Sequence, residues 1–185
     1  MSKSDPDWRA VYDVCAEAME ASDADEILEL VARRAGDLVP SDRGAALFTM
    51  RDGYPWCIRW PHFCDRRIDE FNTYYGRIVP VHYTGTEPVL GPVIWGDYAG
   101  TEYVTDFQRP LGMECGVGAS FRDSHRGTQY VVWIHRENPA AAYEDGEVTT
   151  LRLACRQIER ILSLRSEVDA ATREPFYDSE LGPDA

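Results

Sequence analysis

Residues 97–118 read DYAGTEYVTDFQRPLGMECGVG, and the order of local structure within this stretch decides the predicted fold. Tyr103 and Phe107 stand four positions apart, a spacing typical of one face of a short helix. That helix ends in the neighbourhood of Pro110 and Gly112, because proline and glycine both oppose its continuation. The residues that follow are β-rich, so the stretch predicts a short helix leading directly into a strand.

Downstream, the pattern predicts a hairpin and then one long helix. Strands over 113–121 and 128–136 are separated by a polar turn and pair most simply with each other. The helix, over 144–168, carries two apolar stripes. The first stripe is Val148, Leu151, Cys155, Ile158 and Leu162, and the second is Leu153, Ile161, Leu164 and Val168. One sheet face cannot cover both, so part of this helix is expected to pack on the first helix or on a second subunit.

Upstream, two helices open the chain. The first carries an apolar stripe with three- and four-residue spacing, made of Trp8, Val11, Tyr12, Cys15 and Met19. The second begins at Asp23, which has Glu26 three residues later in the spacing of a capping box. Pro40 prevents this helix from continuing.

A second hairpin and a third helix complete the predicted elements. Strands over 44–50 and 54–60 join through Asp-Gly at 52–53, where glycine supplies the positive φ that a tight turn requires. Asp65 is the predicted cap of the third helix, which ends near Gly76.

Residues 77–100 are broken by prolines and glycines and are predicted to form a long loop, a feature that is usually functional. The order of elements predicts an α+β fold with a central antiparallel sheet, helices on its faces and a long pair formed by the first and last helices. We expect one domain over 1–168, followed by a flexible C-terminal tail over 169–185.

Charge and cysteine content exclude several classes of protein. Nineteen Lys and Arg against 32 Asp and Glu give a net charge of −13, which repels nucleic acids and anionic membrane surfaces. Five cysteines without a C-x-x-C pattern argue against a disulfide framework or a structural zinc site, so a reducing cytoplasm is expected. The sequence contains neither a signal peptide nor an apolar run long enough to span a membrane.

The stretch 97–118 and the surrounding order resemble the GAF-like sensor regions at the N-termini of bacterial LuxR-type transcription regulators. In those regions a helix bearing tyrosine or phenylalanine, an Arg-Pro-Leu-Gly-like turn and a glycine-containing strand follow one another. VVWIHR at 131–136 and YEDGEV at 143–148 are also similar to the family. The likeness covers roughly 8–168. It implies a GAF-like fold that senses a small molecule and serves as signal input for transcription regulation, without catalytic activity.

Two features depart from the family. Its Pro-His-Leu-like element in the last helix stands here as Ala-Cys-Arg-Gln at 154–157, and no helix-turn-helix follows. The chain is therefore either the sensor half of a longer regulator or a free-standing domain whose output is a protein contact. The apolar stripes of the first and last helices predict a homodimer through those helices.

Aromatic residues crowd the middle third of the chain, in elements that by resemblance wall the ligand cavity of GAF folds. The predicted ligand-binding residues are Trp56, Trp60, Phe71, Tyr74, Tyr75, Trp95, Tyr98, Tyr103, Phe107 and Cys115, and Phe63 and Tyr83 belong to the same crowd. Large apolar walls with a few polar tips suit an organic ligand. Phenolics, lipids, haem and tetrapyrroles all remain open. The alternative is a protein-interaction module whose rings only fill the core.

The cysteines leave a third alternative. Cys57, His62 and Cys64 are metal-ligand types, but without a second close pair a structural role is favoured and no metal site is predicted. Cys115 is the candidate redox thiol, because some GAF-fold proteins reduce free methionine sulfoxide with cysteines. Glu114 beside it would raise the pKa of the thiol. We therefore predict no catalytic residue and keep a cysteine-dependent reductase as the alternative.

Overall fold

Five strands and four α-helices make up the computed structural model, which describes residues 5–80, 89–138 and 143–173. They are α1 (Trp8–Glu20), α2 (Ala24–Leu38), β1 (Ala45–Arg51), β2 (Tyr54–Arg59), α3 (Asp65–Thr73), β3 (Val89–Ile94), β4 (Cys115–Asp123), β5 (Thr128–Arg136) and α4 (Asp145–Arg173). The strands form one antiparallel sheet in the order β2-β1-β5-β4-β3. The α+β fold with a central antiparallel sheet is therefore confirmed.

Local sequence explains the two hairpins. Asp52 and Gly53 have φ values of 54° and 83°, so both turn residues between β1 and β2 are left-handed, as a two-residue hairpin turn requires. In the turn between β4 and β5, the buried Asp123 carboxylate accepts hydrogen bonds from the backbone N–H groups of His125 and Arg126, each at 3.0 Å. Pairing of β1 with β5 then joins the hairpins into one sheet.

Three helices cover one face of the sheet. α2 and α4 pack on the strands, and α1 packs against α2 and α4. The Asp7 N–H donates to Thr150 Oγ1 at 2.8 Å, and the Arg165 guanidinium donates to the Met19 carbonyl at 3.1 Å. The N-terminal end of α1 thus lies near the N-terminal part of α4, and the C-terminal end of α1 lies near the C-terminal part of α4. The first and last helices therefore run parallel to each other.

An ion pair fixes the start of α4 to the end of β5. The guanidinium of Arg136 donates to both carboxylate oxygens of Glu147, at 2.6 and 3.2 Å, and to the Pro40 carbonyl at 2.9 Å. The same guanidinium lies 4.3 Å from the ring centroid of Tyr143. A planar fork that serves three partners at once positions the helix more strictly than a single contact does.

Three predicted boundaries were wrong. Within the predicted loop 77–100, residues 89–94 form the edge strand β3, whose register is irregular because proline cannot donate to a ladder and is tolerated only at an edge. Residues 81–88 lie outside the described part. Asp65 is the first residue of α3 rather than its cap. α4 continues to Arg173, five residues into the predicted tail; residues 174–185 also lie outside the described part.

The predicted short helix that carries Tyr103 and Phe107 is not a regular α-helix. Tyr103–Gln108 forms a π-helical turn and Arg109–Leu111 a 3-10 turn. Gly112, at φ 67°, ends the segment, which confirms the expected stop.

Candidate functional site

The sheet separates two buried clusters of side chains. Along β5, Val132 and Ile134 face the helices, whereas Val131, Trp133 and His135 face the other side, because successive residues of a strand alternate. The helical side is almost entirely aliphatic. The opposite side is aromatic and is covered by α3 and by the segment between β3 and β4. The candidate site lies on this second side.

Six side chains on this side form a closed series of neighbouring rings, which we call the aromatic circuit. Its members are Trp60, Phe107, Tyr103, Trp95, Trp133 and His135. Taken in that order around the circuit, the ring centroids are 6.1, 5.7, 5.4, 6.1, 6.2 and 5.6 Å apart. Each of these side chains is at most 4% exposed.

Two glycines of β4 make room for the circuit. A Cβ at Gly116 would lie 2.3 Å from Nε1 of Trp133, and a Cβ at Gly118 would lie 2.3 Å from Cε3 of the same indole. The Trp133 ring therefore lies directly on the backbone of β4. This close approach explains the Gly-x-Gly spacing within the strand.

The titratable groups of the circuit are held neutral by burial. Desolvation lowers the pKa of His135 to about 3, and it raises the pKa of Tyr103 far above its ordinary value. Gln108, which is fully buried, donates through Nε2 to the Tyr103 hydroxyl. Both groups are therefore uncharged near neutral pH.

Several buried polar atoms around the circuit have no hydrogen-bond partner among the described residues. They are Nε1 of Trp60, Nε1 of Trp95, Oε1 of Gln108 and both ring nitrogens of His135. A buried polar atom without a partner costs about 1–3 kcal/mol, so four such side chains in one place are unusual for a core that serves only to fill space.

Five predicted site residues meet in the aromatic cluster. Trp60, Trp95, Tyr103 and Phe107 belong to the circuit, and Phe71 contacts it at centroid distances of 6.2 Å from Trp60 and 5.6 Å from Phe107. The partly buried residues Tyr75, Tyr98 and Phe63 pack against the same cluster. The prediction for Tyr83 lies outside the described residues.

The other three predicted residues lie elsewhere. Trp56 lines a separate groove of about 120 Å³, where the Arg51 guanidinium lies 4.0 Å from its ring centroid. Tyr74 is 47% exposed and donates its hydroxyl to Glu102. Cys115 is buried in the cluster on the helical side. The structure therefore does not bring Cys115 together with the rings, because its position on β4 is one residue out of phase with the two glycines.

Sequence reasoning missed Trp133, His135 and Gln108. Trp133 and His135 could have been found from the two-residue spacing of 131, 133 and 135, which places them on one face of a strand. Gln108 carries no comparable signal, because its burial depends on the π-helical turn that contains it.

Burial disfavours the thiolate form of several cysteines. All five are free. Burial raises the pKa of Cys57 and of Cys155 to about 12, and it also raises the pKa of Cys115. Within 5–80, 89–138 and 143–173, the ligand types around His62 do not gather into a group of three or more that would hold a metal. No helix in these ranges has the length and apolar character needed to cross a membrane.

Comparison with known proteins bears on the fold. No protein-family model and no curated protein matches the sequence. Among solved structures, the chain is similar to the LBD domain of VqsR from Pseudomonas aeruginosa, with a TM-score of 0.60 and 15% identity over 85% of this chain and 97% of that one. It is also similar to the GAF domain of a phosphoenolpyruvate-protein phosphotransferase from Acinetobacter, with a TM-score of 0.60 and 8% identity over 91% and 96%.

A third similar structure is CepR2 from Burkholderia cenocepacia, an N-acylhomoserine lactone dependent LuxR-family factor, with a TM-score of 0.55 and 16% identity over 90% of this chain and 98% of that one. At such low identities the likeness shows the fold and not the ligand. The resemblance stated from the sequence is confirmed at that level: the chain has a GAF-like fold.

Proposed function

We propose that this domain is a small-molecule-sensing regulatory domain whose ligand binds at the aromatic circuit. The observation that carries the proposal is the buried ring series with its unpartnered polar atoms, placed on the sheet face away from the helical layer. Aromatic walls with a few oriented polar groups are typical of sites for organic ligands. The similarity to ligand-binding and GAF domains supports the same reading.

Native mass spectrometry of the protein purified from its own host tests this proposal. A retained small molecule is the expected result. The Phe107→Ala variant is expected to lose it, since the ring wall is broken, whereas Trp56→Ala, which changes a ring outside the circuit, is expected to keep it. Adding the identified molecule at about 100 times its Kd should stabilise the protein by about 2.7 kcal/mol in thermal unfolding.

We infer that the domain has no catalytic activity and works as signal input for transcription regulation in the cytoplasm. The raised pKa values of Cys57, Cys115 and Cys155 support the first part, because the thiolate is the reactive form. The net charge of −13 disfavours direct contact with nucleic acid or an anionic membrane, so the output would pass through a protein segment or partner.

Exposed apolar residues support a homodimer through the first and last helices. In α1 the buried face is Val11, Val14 and Ala18. Three residues of the predicted stripe on α1 instead face solvent, with exposed fractions of 63% for Trp8, 72% for Tyr12 and 67% for Met19. On α4, Leu164 is 60% exposed and Val168 is 56% exposed. Because α1 and α4 run parallel and Met19 lies by Arg165, these residues sit on neighbouring helices. Large apolar side chains exposed on two neighbouring helices are consistent with an interface there.

The dimer is tested by its mass in solution. Tyr12→Glu places a charge in the middle of the α1 patch and is expected to convert a dimer to a monomer in light scattering coupled to size exclusion. Tyr54→Glu is the matched control, because Tyr54 is also exposed, at 47%, but stands at the tip of the first hairpin. A dimer with a dissociation constant well below about 100 µM is mostly assembled at that protein concentration. A wild-type protein that is still monomeric at about 100 µM would therefore contradict the proposal.

A specific observation favours the second candidate, an interaction module with a filled core. The rings of the circuit touch one another and expose almost no surface. Under this alternative, native mass spectrometry finds no retained molecule and a small-molecule library produces no thermal shift.

A further inference from the structure

We propose that a groove at the free edge of β2 binds a small carboxylic acid in its ionised form, as a second ligand site apart from the aromatic circuit. The groove has a volume of about 120 Å³, and Arg51, Arg77 and Trp56 are among the residues that line it. It lies where the hairpin of β1 and β2 meets the 3-10 turn Tyr75–Arg77, which follows α3. This inference does not rest on the sensing function proposed above.

Contacts to the backbone of β2 fix the walls of the groove. The side-chain amide of Asn72 on α3 accepts from the Cys57 N–H at 2.7 Å and donates to the Cys57 carbonyl at 3.0 Å, as a neighbouring strand would. Four residues later, a Cβ at Gly76 would lie 2.6 Å from the Pro55 carbonyl oxygen, so glycine is needed for the 3-10 turn to lie this close to β2. The groove is therefore a fixed feature of the fold.

The two arginines of the groove have no acidic partner in the described part of the chain. Arg59, at the other end of β2, pairs with Glu29 at 2.6 Å. Arg51 and Arg77, in contrast, form neither an ion pair nor a side-chain hydrogen bond with a described residue. They make a local positive site on a chain whose net charge is −13.

The indole of Trp56 holds the Arg51 guanidinium in place. The guanidinium carbon lies over the ring, 4.0 Å from its centroid. A cation–π contact of this kind uses no oxygen acceptor, so the N–H groups of Arg51 are left to donate to a ligand. A guanidinium that is already ordered loses less conformational entropy on binding, and its planar fork matches the two oxygens of a carboxylate.

Charge and size select the class of ligand. Asp52 also lines the groove, so two guanidiniums and one carboxylate leave one net positive charge there. A monoanionic carboxylate neutralises this charge, whereas a dianion would reverse it on a chain that is already strongly acidic. Sites for drug-sized molecules have volumes of about 300–1,000 Å³. A groove of about 120 Å³ therefore suits a small acid.

Titration of ¹⁵N-labelled protein with acetate tests the site. The chain has five tryptophans, and the indole N–H resonance of Trp56 is assigned from its disappearance in Trp56→Phe, which keeps a ring beside Arg51. Acetate replaces chloride at constant ionic strength, so that general screening of charge stays the same. The comparison probes are acetamide, which has the same shape but no charge, and sulfate, which is a dianion.

We expect acetate at millimolar concentration to shift the Trp56 resonance saturably. Acetamide should bind at least about tenfold more weakly, and sulfate no more tightly than acetate. Arg51→Gln and Arg77→Gln should each weaken acetate binding by about tenfold, because each removes charged hydrogen-bond donors. Arg66→Gln is the matched control: it removes the same charge from a side chain of α3 that is 79% exposed and does not line the groove, and it should change the affinity by less than about twofold. Circular dichroism confirms that the variants are folded.

Equal binding of acetamide, tighter binding of sulfate or the absence of a saturable shift overturns the inference. Equal losses in Arg66→Gln and in the two groove variants would trace the effect to the overall charge of the chain, which also overturns it. A capped tripeptide with a central glutamate presents the same carboxylate on a polypeptide, and tighter binding of this peptide than of acetate would contradict a free acid as the ligand. None of these outcomes concerns the aromatic circuit, whose ligand is tested separately by native mass spectrometry.

Discussion

Replacing Gly118 by alanine is expected to lower the free energy of unfolding by about 3 kcal/mol, at the upper end of what one added methyl group costs in a packed core. The new Cβ would lie 2.3 Å from Cε3 and 2.7 Å from Cζ3 of Trp133, and 3.2 Å from the Val132 carbonyl oxygen. Trp133 is only 1% exposed and has Trp95 and His135 as ring neighbours, so its indole cannot move aside without displacing them. Urea unfolding followed by circular dichroism measures the loss.

Two comparisons show whether the contact is the cause. Gly36→Ala is the matched control, since nothing lies within 4 Å of its Cβ and it stands in α2, where alanine should stabilise the helix by up to about 1 kcal/mol. The double variant Gly118→Ala/Trp133→Phe should lose less than the sum of its two single changes, because the smaller ring relieves the clash. Strict additivity would mean that the indole is not what opposes the new methyl group.

Replacing His135 by phenylalanine is expected to remove part of the acid sensitivity of the fold. The folded pKa of about 3 lies below the ordinary value of 6.5. Above pH 6.5 neither state binds this proton, so the full stability is present. Between 6.5 and 3 only the unfolded state binds it, and stability falls by about 1.4 kcal/mol per pH unit once the pH is well below 6.5. By pH 4.5 the wild type should have lost roughly 2–3 kcal/mol from this residue alone.

Chemical unfolding at pH 8 and at pH 4.5 measures this effect. The phenyl ring of the variant has nothing to protonate, so the stability of His135→Phe relative to the wild type should rise by that amount on acidification. Carboxylates titrate in both proteins and cancel in the comparison. His125→Phe is the control for the exchange of an imidazole for a phenyl ring, because His125 is exposed in the turn between β4 and β5. If the stability of His135→Phe and that of the wild type change in parallel with pH, the imidazole takes up its proton as readily in the folded protein as in the unfolded chain, which would contradict the prediction.

Elements that depend on local chemistry could be predicted from the sequence. The Asp-Gly turn at 52–53 fixes its hairpin whatever surrounds it, and Asp23 begins α2 by accepting the Glu26 N–H at 2.9 Å. β3 could not be predicted, because its strand character comes from pairing with β4, which lies far along the chain, while its own proline and glycine oppose it. Non-local pairing overrode local propensity there.

The aromatic part of the candidate site could be predicted from the sequence. Trp60, Phe71, Trp95, Tyr103 and Phe107 were found because aromatic residues crowd the middle third of the chain, in elements that by resemblance wall the ligand cavity of GAF folds. Cys115 was predicted to bind the ligand as well, but the alternation along β4 places it on the opposite face. The buried polar atoms without partners could not be predicted, because a missing hydrogen-bond partner is a property of three-dimensional packing and not of sequence.

The parallel arrangement of α1 and α4 has a mechanical consequence. Arg165 holds the Met19 carbonyl near the end of α1, yet α4 continues to Arg173, about 12 Å further at the rise of an α-helix. The Arg165 contact divides α4 unequally, because Glu147, which Arg136 holds to the end of β5, lies about 27 Å before it along the helix. A rocking of the sheet against α4 would be carried along the helix to Arg173, which makes the far end of this helix the place to attach a spectroscopic reporter.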